Sequence, residues 1–189
     1  AAPRNMSAQL PFTFTRGTHR IVPPEQTLAR IEPLLADCGI TRCTDVTWLD
    51  QLGIPVYCAI RPAGLVLQVS NGKGMTAAAA RASALMEAIE LHHAETPSPG
   101  LLRWASRREL CAEGASVLGP AGLPGWVGGY DADGYRCEWI PGTALADGAP
   151  VWAPAGVACF ARSPARLQTD SNGLASGNHL LEASLHGLY

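Results

Sequence analysis

Twenty glycines and fifteen prolines punctuate this chain of 189 residues, yet the run TAAAARASALMEAIELHHAE from Thr76 to Glu95 contains neither. Alanine is the best helix former, and a run this long without a breaker has no competitive alternative to a helix. Thr76 supplies an N-cap hydroxyl and TPSPG closes the far end. Along it Ala82, Leu85, Ile89 and His92 make one apolar stripe, which the rest of the chain must cover.

The breakers elsewhere leave only short elements. PPEQTLARIEPLLADCG predicts a helix with Leu28, Ile31, Leu34 and Leu35 on one side and a stop at Cys38-Gly39. GIPVYCAIRP and GLVLQVS predict an antiparallel pair of strands. YRCEWIPGTAL and APVWAPAGVACF predict two more, joined at ADG by a hairpin turn. Residues 1–22 read as an irregular arm, 100–115 as containing a helix, and 119–134 as a loop. A second helix begins near His179, after SNGLASGN, and the chain ends at Tyr189 inside it. Hairpin strands mixed with helices give an α+β fold, an antiparallel or mixed β-sheet with helices packed on it, in a single domain over 1–189.

Composition excludes several classes of function. The net charge is −2, from 14 basic and 16 acidic residues, so nothing marks a nucleic-acid or anionic-membrane partner. No apolar run reaches the length of a membrane helix, and AAPRNMSAQLPF lacks the apolar core of a secretory signal; the expectation is a cytoplasmic protein. The six cysteines, Cys38, Cys43, Cys58, Cys111, Cys137 and Cys159, form no C-x-x-C and read as buried or half-buried thiols.

Chemistry concentrates at two places. Ser83, Glu87 and Glu90 stand at i, i+4 and i+7, one face of the long helix, where two carboxylates within a turn can reach one hard cation. The bland alternative leaves both glutamates in water. Glu90-x-x-His93 has the spacing of a carboxylate-bridged iron site, but a second copy of that motif is missing. SNGKG precedes the helix, where free N–H groups favour an anion and Lys73 adds charge. SNG returns at Ser171–Gly173 ahead of the second helix, with Asn178 as its candidate cap and Glu182 one turn on. Amides for phosphate oxygens and carboxylates for Mg²⁺ make a nucleotide site conceivable without G-x-x-x-x-G-K-[ST].

SNGKGMTAAAARASALMEAIELHHAE and TDSNGLASGNHLLEASLHGLY resemble the two signatures of the YcaO family: a Gly-Lys-Gly turn with Ser-x-x-x-Glu-x-x-Glu, and S-N-G-x-A-x-G-N-x-x-x-E-A. GTHRIVPPEQTLARIEPLL, GITRCTDVTWLDQLGIPVYCAIRP and WIPGTALADGAPVWAPA are similar to the branch found with TfuA-type partner proteins. The resemblance implies an enzyme binding ATP with Mg²⁺ that phosphorylates a peptide amide oxygen after a nucleophile adds to its carbonyl carbon. Thioamide or azoline is the product. Carried over by position, Glu87, Glu90 and Glu182 become metal carboxylates; Ser83 and Asn178 lie against the nucleotide, with Arg20, Thr27 and Lys73 also at the ATP site.

This sequence departs from that pattern. Tyr189 ends the chain before the further glutamates the family carries past Glu182, and family members are about twice as long. The resemblance therefore implies the N-terminal portion of a YcaO-like domain, one that binds Mg-ATP poorly and is inactive alone. Met86 also stands where some members have arginine, removing a phosphate contact. The expected partners are a peptide substrate and a TfuA-like protein. The alternative is a non-catalytic scaffold with a degenerate nucleotide site. Leu181, Leu185 and Leu188 make an apolar patch that predicts a homo-oligomer.

Overall fold

The structure is a computed structural model, and it describes residues 12–15, 18–119, 123, 131–160 and 170–189. Its contacts fall into two compact units, one drawing on residues 12–92 and 172–189 and the other on 93–171. Each has its own apolar cluster.

In the first unit, helix α1 (Pro24–Ile31) runs into a single 3₁₀ turn at Glu32–Leu34, because Pro33 has no N–H to continue the α ladder. Gly39 then reverses the chain at φ 69°. Strands β1 (Arg42–Asp45), β2 (Val56–Ile60) and β3 (Val69–Lys73) form an antiparallel sheet in that order, with Cys43 opposite Ala59 and Tyr57 opposite Gly72. Helix α2 (Ala77–Glu95) follows, and Thr76 caps it as expected, its Oγ1 accepting the Ala79 N–H at 3.1 Å. Ile31, Ile40, Ala59, Ala84, Leu85, Ala88 and Ile89 make one cluster, binding both helices to the sheet. Burying Leu85 or Ile89 contributes about 2–3 kcal/mol each.

The SNGKG segment is strand rather than turn. Ser70–Lys73 belong to β3, while most of GLVLQVS lies before it. A Cβ placed on Gly72 would fall 2.0 Å from the Ala84 nitrogen and 2.2 Å from the Ala80 carbonyl oxygen. Strand and helix backbones touch there, which only a glycine opposite an alanine stripe permits.

The second unit carries the sheet β4 (Arg103–Ser106), β5 (Arg136–Thr143) and β6 (Pro150–Pro154), antiparallel in that order. The β5–β6 hairpin closes at Ala144–Ala149, with Gly148 at φ 74°. Pro141 is tolerated in β5 because β4 pairs only with Arg136–Trp139, leaving no partner for the missing donor on that side. Helix α3 (Arg107–Ala112) opens with a capping box: Ser106 Oγ accepts the Glu109 N–H, and the Glu109 carboxylate accepts the Ser106 N–H. Ala105, Leu110, Cys137 and Trp139 form the core, and the Trp139 indole donates to the Ala105 carbonyl at 2.9 Å. A short helix α4 (Ala155–Ala158) follows β6. Most of the expected 119–134 loop lies outside the described residues. These two antiparallel sheets with packed helices are the α+β fold the sequence predicts.

Candidate functional site

Helix α2 is buried around most of its circumference, at Ala80, Ala82, Ala84, Leu85, Ala88, Ile89, Leu91 and Ala94. What remains open is the stripe carrying Ser83, Glu87 and Glu90, with Ser83 exposed and both glutamates half-buried. Burial raises the Glu87 carboxyl above its ordinary value, the charge of Glu90 adds to the rise, and Lys73 opposes it. Lys73, exposed at the end of β3, is thus close enough to act on Glu87 through space. Two crowded carboxylates beside one ammonium suit a hard divalent cation with an anionic ligand of its own.

The second group forms where helix α5 (Leu180–Gly187) meets α1 and the arm before it. The anchor is Glu182, 5% exposed. Its Oε2 accepts the Ile21 backbone N–H at 2.7 Å, and its Oε1 accepts the Asn178 backbone N–H at 3.0 Å and the Asn178 Nδ2 at 3.2 Å. Arg20 Nη1 stands 3.7 Å from the same Oε1. The Asn178 amide pairs with the buried Thr27 hydroxyl, Nδ2 to Oγ1 at 3.0 Å, and its Oδ1 accepts Arg30 Nη1 at 3.5 Å. Gly177 permits this packing, since a Cβ on it would fall 2.7 Å from the Ala183 nitrogen.

The structure therefore gathers Arg20, Thr27, Asn178 and Glu182 into one network, and sets Lys73 and Glu90 within electrostatic range of Glu87. It does not bring Glu182 into a metal-holding group with Glu87 and Glu90: among the described residues no three His, Cys, Asp or Glu side chains are so placed. The same finding leaves Glu87, Glu90 and His93 short of a three-ligand centre. In this network backbone and side-chain donors reach both oxygens of Glu182. Asn178 is not the cap of α5 either; His179 is, its Nδ1 accepting the Leu181 N–H at 3.1 Å. Sequence reasoning missed Arg30, His179 and the Ile21 amide. Arg30 follows Thr27 by three positions on α1, a usable signal, whereas a backbone amide and a histidine cap leave none.

An α+β protein with half-buried carboxylates on one helix, an amide-rich turn before another and no P-loop is a narrow class. The family model described as YcaO cyclodehydratase, ATP- and Mg²⁺-binding, matches residues 71–189. The chain belongs to the YcaO family. An uncharacterised protein of Mycobacterium tuberculosis is 42% identical over 182 residues, covering 92% of this chain and 40% of its own length. An uncharacterised protein in the tfuA 3′ region of Rhizobium leguminosarum bv. trifolii is 39% identical over 173 residues, covering 89% of this chain and again 40% of itself. The chain thus spans about two-fifths of the length of these curated relatives. Among solved structures, YcaO from Methanopyrus kandleri bound with AMPPCP and Mg²⁺ superposes with TM-score 0.75 at 26% identity, over 95% of this chain and 45% of that one. A heterocyclase in complex with substrate and cofactor shares the fold at TM-score 0.73 and 24% identity, over 95% of this chain and 28% of that one. No helix among the described residues is long and apolar enough to cross a membrane.

Proposed function

We propose that this chain contributes the nucleotide- and metal-binding part of an ATP- and Mg²⁺-dependent enzyme that activates peptide backbone amides by phosphorylating the amide oxygen. The observation carrying this reading is the Glu87–Glu90 pair, half-buried on the one open stripe of α2 within electrostatic reach of Lys73. Membership of a family described as ATP- and Mg²⁺-binding, and likeness to a structure bound with AMPPCP and Mg²⁺, support it.

When bound, ATP supplies the phosphoryl group and Mg²⁺ offsets the charge that develops on it, so that an amide oxygen, a very poor leaving group, can depart as phosphate. Glu87 and Glu90 hold the metal, and Lys73 places a positive charge at the phosphates. Ser83 presents its hydroxyl one turn earlier on the same stripe. Thr27 and Asn178 offer a paired hydroxyl and amide to the nucleotide. Glu182 orients Arg20 and the Asn178 amide, and its position in the motif makes it the third carboxylate for the metal. The relative in the tfuA 3′ region supports a TfuA-like partner, and the product proposed with such a partner is a thioamide.

In the full-length enzyme Glu87→Gln and Glu90→Gln should each abolish peptide-dependent ADP release, and unchanged turnover in both would end the metal assignment. A second reading, a non-catalytic scaffold, draws on the engagement of Glu182 by its own network. Calorimetry with Mg-ATP separates the two: micromolar binding supports the enzyme, and none at millimolar nucleotide supports the scaffold.

A further inference from the structure

The side-chain amide of Asn178 stands between an anion and a cation. Its Nδ2 donates to Glu182 Oε1 at 3.2 Å, and its Oδ1 accepts from Arg30 Nη1 at 3.5 Å. The buried Thr27 hydroxyl meets both ends of the amide, 3.0 Å from Nδ2 and 3.2 Å from Oδ1. A hydroxyl donates or accepts, so Thr27 is compatible with either orientation of the amide. A carboxylate only accepts and a guanidinium only donates, so Glu182 and Arg30 are compatible with one. Turning the amide over would set its oxygen against the carboxylate and its NH₂ against the guanidinium, replacing two attractions by two repulsions. At 3.5 Å the Arg30 contact is long for a hydrogen bond, and it is charge that makes it selective.

We infer that Arg30 is a positioning residue of the nucleotide site: as a donor that cannot accept, it fixes the orientation in which Asn178 presents its amide to ATP. The inference rests on the reading of Asn178 as a nucleotide contact. Arg30 lies outside both signature stretches, on α1, one turn after Thr27. It is exposed, while the buried positions of that helix are Thr27 and Ile31, so the core does not call for an arginine here. A basic residue in the last turn of α1 also suits the helix dipole, but any cation serves that end, and a dipole partner has no bearing on nucleotide affinity. Glu182 alone would leave the oxygen end of the amide to Thr27, whose hydroxyl does not discriminate. With a charge at each end the amide is polarised along its length, and both of its hydrogen bonds are strengthened.

Calorimetry with Mg-ATP on the full-length enzyme tests this in Arg30→Lys, Arg30→Gln and Arg30→Met. Arginine, lysine, glutamine and methionine have similar helix propensities and the position is exposed, so all four proteins should fold alike. Lysine still only donates, whereas glutamine can donate or accept and methionine offers no donor. The expected result is a dissociation constant raised about tenfold by glutamine and by methionine, and only about twofold by lysine. In the ligand-free protein the Asn178 side-chain NH₂ signals, assigned by their disappearance in Asn178→Asp, should exchange with water faster in the glutamine and methionine variants than in the parent. A parent that binds no nucleotide takes down the ATP reading and this inference with it. A parent that binds, with all three variants equal to it, overturns the inference alone. So does an unchanged NH₂ exchange rate, or a loss of affinity as large in lysine as in methionine, which would make Arg30 a direct ligand through its guanidinium.

Discussion

The Glu182 carboxylate accepts the Ile21 backbone N–H at 2.7 Å, joining residues 161 apart in sequence. This bond ties the arm before α1 to the last helix, and the same carboxylate steadies Asn178 from below and draws Arg20 inward. Removing it strands several donors in a buried place. Glu182→Ala should therefore cost about 2–4 kcal/mol of stability, the cost of leaving buried polar groups unpaired. Glu182→Gln keeps an acceptor for Ile21 and should cost less. Urea denaturation measures both, and an alanine variant as stable as the parent would show the network to be incidental.

Gly72 makes a sharper steric prediction. The space its Cβ would need is occupied by helix backbone, which cannot rotate away as a side chain can. Gly72→Ala must push β3 off α2 and should cost 3 kcal/mol or more, in the range of the larger core perturbations. Gly100→Ala is the control, because nothing lies within 4 Å of its added Cβ. That change should be neutral or slightly stabilising. Equal midpoints for the two variants would contradict the strand–helix contact.

These contrasts show where the sequence was legible. The run from Thr76 to Glu95 announced α2, its cap and its open carboxylate stripe, because local propensity and tertiary packing agree there. Val, Ile and Trp clusters announced β2, β5 and β6 for the same reason. β1 and β4 were missed: each is four residues long and includes charged or polar positions, so neither shows a period. β3 was displaced because Ser-Asn-Gly-Lys reads as a turn, and what makes it strand is the helix lying on Gly72. At the candidate site, helical spacing alone put Glu87 and Glu90 on one face of α2. The surroundings of Glu182 were not, since its partners come from the arm and α1, far away in sequence.

The cap of α5 tests a residue that propensity would pass over. His179 Nδ1 accepts the Leu181 N–H, a task usually given to Ser, Thr, Asp or Asn. His179→Ala should cost about 1 kcal/mol, whereas His179→Ser or His179→Asn should hold or raise stability. Thermal unfolding of the three variants decides the matter, and an alanine variant matching the serine one would remove the cap from the account.

The half-buried Glu87 sets stability against function. Desolvation, with the neighbouring Glu90 charge, lifts its folded-state value above the 4.5 of an ordinary glutamate. The folded state therefore holds this proton more tightly than the unfolded chain does. Its favourable contribution is complete below about 4.5 and is lost as pH rises through the lifted value. Above that, an ionised Glu87 sits crowded against Glu90 with only Lys73 to relieve it. Glu87→Gln should accordingly unfold at a higher temperature than the parent at pH 7, and the difference should vanish near pH 4. Adding Mg²⁺ with nucleotide should reverse the order at pH 7, since a ligand that binds only the parent's folded state stabilises that protein alone. A glutamine variant that is less stable at pH 7 without ligand would mean that Glu87 is held by attractions stronger than its crowding.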